Sequence, residues 1–339
     1  MARPLLPRQV IRACLYRRNK STTAAEAAES LVSRFASTTR KTTQLLDGNQ
    51  LQKLSLTLLR KEIWPGIDVS ASAPVDGTPV PPGYHLAYFT PAGVEAELGE
   101  DGTDSVFNAP APFSRRMWAG GRMRWLGDGV ALRVGDVVEE RTRLVSAVAK
   151  RSRDGGEMVL VGVEKGFWGP RGLAVVDERS WIFRSESTAS SPAAEKALRD
   201  ALVRSPSAVK DVPQDGAYPQ RHLRWSPTGL FRFSALTFNG HRIHYDSPWT
   251  TAVEGHPGCV VHGPLNLINM LDYWRDHCAG QGRRVKEISY RAVSPLYAGE
   301  TYQVSARESE GKGDGLRWDM LVAREGRACM TGDISGEVN

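Results

Sequence analysis

The chain is short of the residues that make a disulfide scaffold, a zinc protein or a membrane protein. It has four cysteines, Cys14, Cys259, Cys278 and Cys329, and no two form a Cys-x-x-Cys pair. That argues against a disulfide framework and a cysteine zinc site, and it suits a reducing compartment. No apolar run approaches the length a bilayer demands, so no membrane contact is expected. Histidine is scarce as well, with seven in all and none between His85 and His222. Imidazole chemistry near neutral pH is therefore expected of the second half alone.

Acidic residues are missing from the first 25 positions, where Arg3, Arg8, Arg12, Arg17, Arg18 and Lys20 stand among Ser and Thr. There is no apolar segment of the kind a secretory signal carries. An Arg-rich, Ser-rich, acid-poor start is the composition of a mitochondrial presequence, expected over residues 1–41 and addressed to the matrix. The formal charge of +6 is local. Residues 1–41 carry about +7, which leaves the remainder near −1. A nucleic-acid binder wants its basic surface on the folded body, so nucleic acid is not an expected partner.

After residue 41 the pattern changes. Leu51, Leu54, Leu58 and Leu59 recur at helical spacing, and Pro65-Gly66 is expected to stop that helix. Strands are expected at 130–134, 143–149, 158–164 and 174–183, with turns at Gly135-Asp136 and Asp154-Gly155-Gly156 between them. The stretch 185–218, rich in Ser, Ala, Pro and Asp, reads as a linker with one short helix around 193–203. Beyond it the pattern repeats. Leu132-Arg133-Val134-Gly135-Asp136 and Leu296-Tyr297-Ala298-Gly299-Glu300 each precede a strand, a Gly-containing turn and two more strands. A repeat of half the chain implies two fused copies of one domain, here 42–184 and 219–339.

The copies differ in one respect. The second contains Leu265, Leu267, Ile268, Met270, Leu271, Tyr273 and Trp274, broken only by Asn266, Asn269 and Asp272. Pro264 suits the first turn and Gly280 the stop. A helix apolar on most sides is buried. The first copy has no equally long apolar helix; its counterpart is expected at Met117-Trp118-Ala119-Gly120-Gly121. An antiparallel sheet wrapped around one buried helix is the hot-dog architecture. The expected fold is α+β, a double hot-dog whose first half is degenerate.

The chemistry concentrates in Phe238-Asn239-Gly240-His241-Arg242-Ile243-His244-Tyr245-Asp246 and Val261-His262-Gly263-Pro264. A short linker can bend Asn239 and His244 toward one point. The helix opening at Gly263-Pro264 would aim free N–H groups and its positive dipole end at the same place. A proton-transfer group beside an oxyanion cradle serves chemistry next to a thioester carbonyl. His241, His244, His256 and His262 come close together in the chain, but no carboxylate or Cys stands at ligand spacing, and no metal is expected. Arg115 and Arg116 are candidates for a phosphopantetheine phosphate.

These residues resemble the hydratase-2/MaoC-like hot-dog family, whose signature reads Gly-Asp-x-Asn-Pro-Leu-His. The family's acid falls on Asn239, its middle asparagine on His241 and its histidine on His244. The later His-Gly step falls on His262-Gly263. The whole chain is similar to mitochondrial type 2 3-hydroxyacyl-thioester dehydratases and to the mesaconyl-CoA C4 hydratase group. The resemblance implies reversible dehydration of (3R)-hydroxyacyl thioesters in mitochondrial fatty-acid synthesis. It implies His244 as acid/base, Asn239 as orienter of the hydroxyl or water, Gly263 as oxyanion donor, and His241 and His262 at the substrate. The partner would be a thioester of acyl carrier protein or CoA, no cofactor is required, and a homodimer stays open. Asn239 departs from the family, since an amide cannot take the proton a carboxylate can. Two other readings stay open: a hydratase of mesaconyl or itaconyl type, and, from the departure at Asn239, a non-catalytic acyl-thioester-binding protein.

Overall fold

Gly135 and Gly299, the pair behind the expected repeat, occupy equivalent corners. Both have left-handed backbone, with φ of 89° and 85°. The Gly135 N–H donates to the Leu46 carbonyl at 2.9 Å, and the Gly299 N–H donates to the Trp225 carbonyl at 2.8 Å. One residue on, the Asp136 carboxylate accepts from the Arg133 N–H at 2.8 Å, and Glu300 accepts from the Tyr297 N–H at 2.9 Å. The same corner is built twice.

The computed structural model describes residues 22–91, 93–152, 155–185, 205–215, 218–280, 282–310 and 316–338. In the first half, β1 (Thr39–Leu45), a small hairpin β2 (Glu62–Trp64) and β3 (Ile67–Asp68), β4 (Arg115–Trp125), β5 (Val137–Arg151), β6 (Glu157–Gly169) and β7 (Gly172–Arg184) follow in turn. The second half holds β8 (Ala208–Val212), β9 (Gln220–Arg224), β10 (Arg283–Ala292), β11 (Thr301–Glu310), β12 (Leu316–Arg324) and β13 (Arg327–Val338). Apart from the hairpin they form one antiparallel sheet in the order β1-β5-β6-β7-β4-β10-β13-β12-β11-β9-β8. Read outward from the β4–β10 seam, β4-β7-β6-β5-β1 and β10-β13-β12-β11-β9 are the same series. This is the double hot-dog.

The seam explains the run Met117–Gly121. It is part of β4, not the counterpart of a helix. Gly121 lies opposite Tyr290 and Gly120 opposite Arg291. A Cβ on Gly121 would meet the Glu178 carbonyl at 2.2 Å, and one on Gly120 the Tyr290 carbonyl at 2.5 Å. Only glycine lets the strands approach this closely.

Five helices complete the described residues: α1 (Ala24–Phe35), α2 (Gly48–Thr57), α3 (Pro227–Leu236), α4 (Ser247–Ala252) and α5 (Gly263–His277). None is long and apolar enough to cross a membrane. The helix α5 is the buried one. Its seven apolar residues from Leu265 to Trp274 are all buried, and so are its three polar ones. Two of the three have partners: Asn266 accepts from the Tyr302 hydroxyl at 2.6 Å, and Asp272 accepts through Oδ2 from Tyr84 at 2.9 Å, with Arg275 2.8 Å from its Oδ1 as an ion pair. A buried polar group needs such partners.

Where the second half has α5, between α3 and the seam strand, the described residues of 58–114 in the first half hold no α-helix, only the β2–β3 hairpin and two 3-10 turns, Tyr84–Ala87 and Glu95–Glu97. Its inner sheet face is partly covered by α1 instead. Ala24, Ala27, Ala28, Leu31 and Phe35 recur every three to four residues and pack with Val159, Val161 and Val163 of β6 and Trp181 and Phe183 of β7. A capping box of Thr23 and Glu26 starts the helix.

Several expectations need correction. The folded body begins before residue 42, because α1 and the first residues of β1 lie within 22–41. Residues 130–134 form a 3-10 turn and one isolated bridge, not a strand. The helix α2 ends at Thr57, where Leu59 turns left-handed at φ 62°; Pro65-Gly66 serves the β2–β3 turn. Residues 208–212 of the expected linker pair with β9 as β8. The short helix expected around 193–203 lies outside the described residues. Cys259, Cys278 and Cys329 are buried free thiols.

Candidate active site

The site begins where α3 ends. Ser226 caps α3 and Pro227 sits in its first turn. The chain leaves the helix through Phe238, which is left-handed at φ 46°. Asn239 then closes a tight turn, its side-chain oxygen accepting the His241 N–H at 3.0 Å. A 3-10 turn, Arg242–His244, follows and buries His244.

His244 has a defined tautomer. Its Nδ1 lies 2.7 Å from the Val260 carbonyl oxygen, which can only accept. The proton therefore resides on Nδ1, and Nε2 carries the free lone pair. The ring of His262 stacks on it, with centroids 3.6 Å apart and planes 17° apart. The other face of the site is His241, edge-on to His244 at 5.4 Å. Two charged imidazoles at that spacing would repel. Burial, and then the neighbouring imidazole His241, pushes His244 down to about 3. Burial, then Arg116, does the same to His241. His262 is also pushed down, and its Nε2 meets the Ser234 hydroxyl at 2.8 Å. All three rings are neutral at neutral pH.

His262 is also the residue before α5, which sets Gly263 beside the stacked imidazoles. Among the described α-helices, α1, α2, α3 and α4 each have a side-chain N-cap, from Thr23, Asp47, Ser226 and Asp246. The helix α5 has none, because the His262 side chain is held by Ser234. Its first N–H groups have no side-chain cap, at the positive end of the dipole. Trp118 of β4 covers this start. A Cβ on Gly263 would meet the Trp118 ring at 3.1 Å.

A third group comes from the first half and was not anticipated. The loop 99–104 docks on the turn at 239–242 so closely that a Cβ on Gly102 would fall 2.0 Å from the Gly240 carbonyl. The Arg242 N–H donates to the Asp101 carbonyl at 2.8 Å. The Asp101 side chain then lies 3.5 Å from His241 Nε2. One ligand atom each of Asp101, His241 and Glu254 lies within 4.8 Å of the others. The only local signal for Asp101 was an Asp-Gly turn, and nothing in the sequence said which surface that turn meets.

Arg115 and Arg116 are engaged by protein. Arg115 Nε bonds Glu254 at 2.8 Å, and Arg116 bonds Asp104 at 2.9 Å while lying over the Trp181 ring. A phosphate would have to compete with these carboxylates. His256, pushed down to about 4 by burial and then by Arg115, lies at the edge of the cluster near Tyr297.

The model of the family "Hydroxyacyl-thioester dehydratase type 2" matches residues 83–298. The chain belongs to that family. It is 32% identical over 243 residues to mesaconyl-C(4)-CoA hydratase of Chloroflexus aurantiacus, covering 71% of this chain and 79% of that one. It is 25% identical over 241 residues to the mitochondrial hydroxyacyl-thioester dehydratase type 2 of Schizosaccharomyces pombe, covering 68% and 79%. A MaoC-like dehydratase structure superposes with a TM-score of 0.62 at 12% identity, over 91% of this chain and all of the other. A second, from Phytophthora capsici, gives 0.57 at 15% identity, over 89% and 96%. Members of this dehydratase family are hydro-lyases, and this chain is one: a hydratase or dehydratase of hydroxyacyl thioesters. The non-catalytic reading is set aside.

Proposed function

We propose that the chain dehydrates (3R)-hydroxyacyl thioesters reversibly to trans-2-enoyl thioesters, on acyl carrier protein or CoA, in mitochondrial fatty-acid synthesis. The observation that carries the chemistry is the neutral His244, with Nε2 free, stacked on the residue that precedes the uncapped start of α5. In dehydration Nε2 takes the proton from C2. Electron density moves to the thioester oxygen, where the Gly263 N–H receives it. The C3–O bond breaks, and the same proton passes from His244 to the departing hydroxyl, which leaves as water. One proton is taken and one returned, so His244 ends as it began. A preorganised oxyanion donor contributes on the order of 3 kcal/mol to such a barrier.

Asn239 uses its side-chain oxygen on the His241 N–H, so its amide nitrogen is the end that meets the hydroxyl. His262 fixes the His244 ring by stacking and orients the helix start. A mitochondrial address is supported by the mitochondrial S. pombe relative and by the Arg-rich first residues.

A second reading is favoured by the C. aurantiacus relative: hydration of a branched, carboxylate-bearing enoyl-CoA. It needs a cation for the extra carboxylate. Arg242 is taken by Asp246 at 2.6 Å, and Arg232 is exposed on α3. The inner face of the first half offers largely buried alternatives. Arg179 lies 5.4 Å from the Trp118 ring and Lys165 is 3.0 Å from Glu140, though each is already paired with a carboxylate.

The test is a panel of thioesters with the purified chain, followed by loss of enoyl-thioester absorbance and chiral analysis. The expected result is a (3R)-hydroxy product from straight-chain trans-2-enoyl thioesters. A (3S) product excludes this geometry. Turnover of mesaconyl-CoA without any straight-chain turnover selects the second reading.

A further inference from the structure

We infer that Asp101, delivered from the first half, is the carboxylate of this active site, and that with His241 and Glu254 it holds the water that hydration adds or the hydroxyl that dehydration removes. The inference rests on the hydratase reading above. The position where the family carries its acid is Asn239 here, whose oxygen is spent on a turn. The structure supplies a carboxylate to the same neighbourhood from the other repeat.

Asp101 is built for a ligand. Its Oδ1 is satisfied by the Thr103 N–H at 3.0 Å and the Thr103 hydroxyl at 2.7 Å. Its Oδ2 is buried and has no hydrogen-bond partner. An unpaired buried carboxylate oxygen costs several kcal/mol unless something meets it. His241, only 8% exposed, turns Nε2 toward that oxygen at 3.5 Å, too far for a good direct bond. Glu254 closes the third side. With all three atoms within 4.8 Å of one another, a point exists within about 2.8 Å of each, which is a hydrogen-bond distance.

A water there finds an acceptor in Asp101 Oδ2 and a ring nitrogen in neutral His241, whose ring contacts His244. A divalent cation fits the same three groups less well. Arg115 already neutralises Glu254 at 2.8 Å, and Arg115 and Arg116 both raise the positive potential at His241. A neutral water pays no penalty for those guanidiniums.

In hydration the water oxygen bonds to C3, and the C2=C3 electrons move to C2 and the thioester oxygen. One water proton passes to His244 Nε2 and then to C2. The other stays on the new hydroxyl, held by Asp101. Nothing besides water and the enoyl thioester is consumed.

The test uses Asp101→Asn in the full chain, which keeps an oxygen for Thr103. The expected result is a fall in kcat of about 100-fold with KM within about threefold, and an unchanged melting curve. Asp101→Glu should recover part of the loss. A kcat equal to that of wild type overturns the inference, as does a fall traced to unfolding in both variants. A second measurement needs no turnover: a high-resolution crystal structure of the wild type should show one water bonded to Asp101 Oδ2 and His241 Nε2, absent from the Asn variant. An empty point, or a metal ion found there and by elemental analysis, overturns it as well. If the wild type turns over no thioester, the hydratase reading fails by itself and the crystallographic arm still decides Asp101.

Discussion

The strands β12 and β6 are equivalent, yet they lie under different helices. β12 faces α5, a helix of 15 residues from within its own repeat. β6 faces α1, a helix from before its repeat begins. The difference shows what losing a central helix does to a hot-dog half. The sheet face still has to be covered, because Val159, Val161 and Val163 would otherwise meet water. The segment that replaced the helix is then free to turn outward and dock on the other half. That is how residues 99–104 reach the turn at 239–242. One half keeps the helix start and the histidines; the other contributes a carboxylate and a cover, Trp118, over the helix start.

The comparison breaks first at His244. His244→Ala should lower turnover by about 10²–10⁴. The melting curve should stay close to that of wild type, because the backbone turn is held by Asn239 and Asp246. Activity retained in that variant would remove proton chemistry from the second half. Next in size is the cover of the first half. A chain starting at residue 39 lacks α1, and with it the burial of Leu31 and Phe35, each worth about 1.5–3 kcal/mol. Urea unfolding should show a loss of at least about 3 kcal/mol. A chain starting at Thr22 should melt as the full chain does, while a tagged version should fail to enter mitochondria. Equal stability of the two truncations would deny α1 its structural part.

Acid sharpens the contrast between a half rich in buried imidazoles and one nearly without them. His241 and His244 charge near pH 6.5 when unfolded but only near 3 when folded. The unfolded chain binds more protons between those values, so stability is complete above about pH 7 and drains away as the pH falls from 6.5 toward 3. At pH 5.5 the two should withdraw about 1 kcal/mol each, measurable as a falling melting temperature. A flat melting temperature from pH 7 to 5 would mean that these rings are not buried and neutral. Gly263→Ala comes next. The new Cβ at 3.1 Å must push Trp118 aside, and turnover should drop about tenfold, a barrier change of about 1.4 kcal/mol, with KM less affected. The smallest effect is expected at Asn239. Asp can accept the same His241 N–H and turn its second oxygen to the hydroxyl, so Asn239→Asp should keep activity, whereas Asn239→Ala loses both the turn's hydrogen bond and the hydroxyl contact and should cost about 1 kcal/mol in stability and in turnover.

Much of this was legible from spacing. The period of Leu265–Trp274 against Asn266, Asn269 and Asp272 marks a buried helix, and the paired Gly-Asp and Gly-Glu corners mark the repeat. Those signals are local: backbone geometry and side-chain periodicity act over a few residues, and they hold wherever the element ends up. The family signature likewise drew attention to Asn239, His244 and Gly263, and the residues from 239 to 263 connect α3 to α5. The mistakes were also local in kind. Leu59 turns left-handed with no glycine to announce it, and Met117–Gly121 reads like a helix counterpart although its glycines serve a strand partner at Tyr290 and Arg291, far away in sequence. What only the tertiary structure decided was which distant surfaces meet. The tautomer of His244 depends on the Val260 carbonyl, its neutrality on burial and on the neighbouring His241, and the carboxylate beside His241 on a loop of the other repeat. Burial and charge pairing depend on contacts between segments far apart in the chain, and no pattern within either segment encodes the other's position.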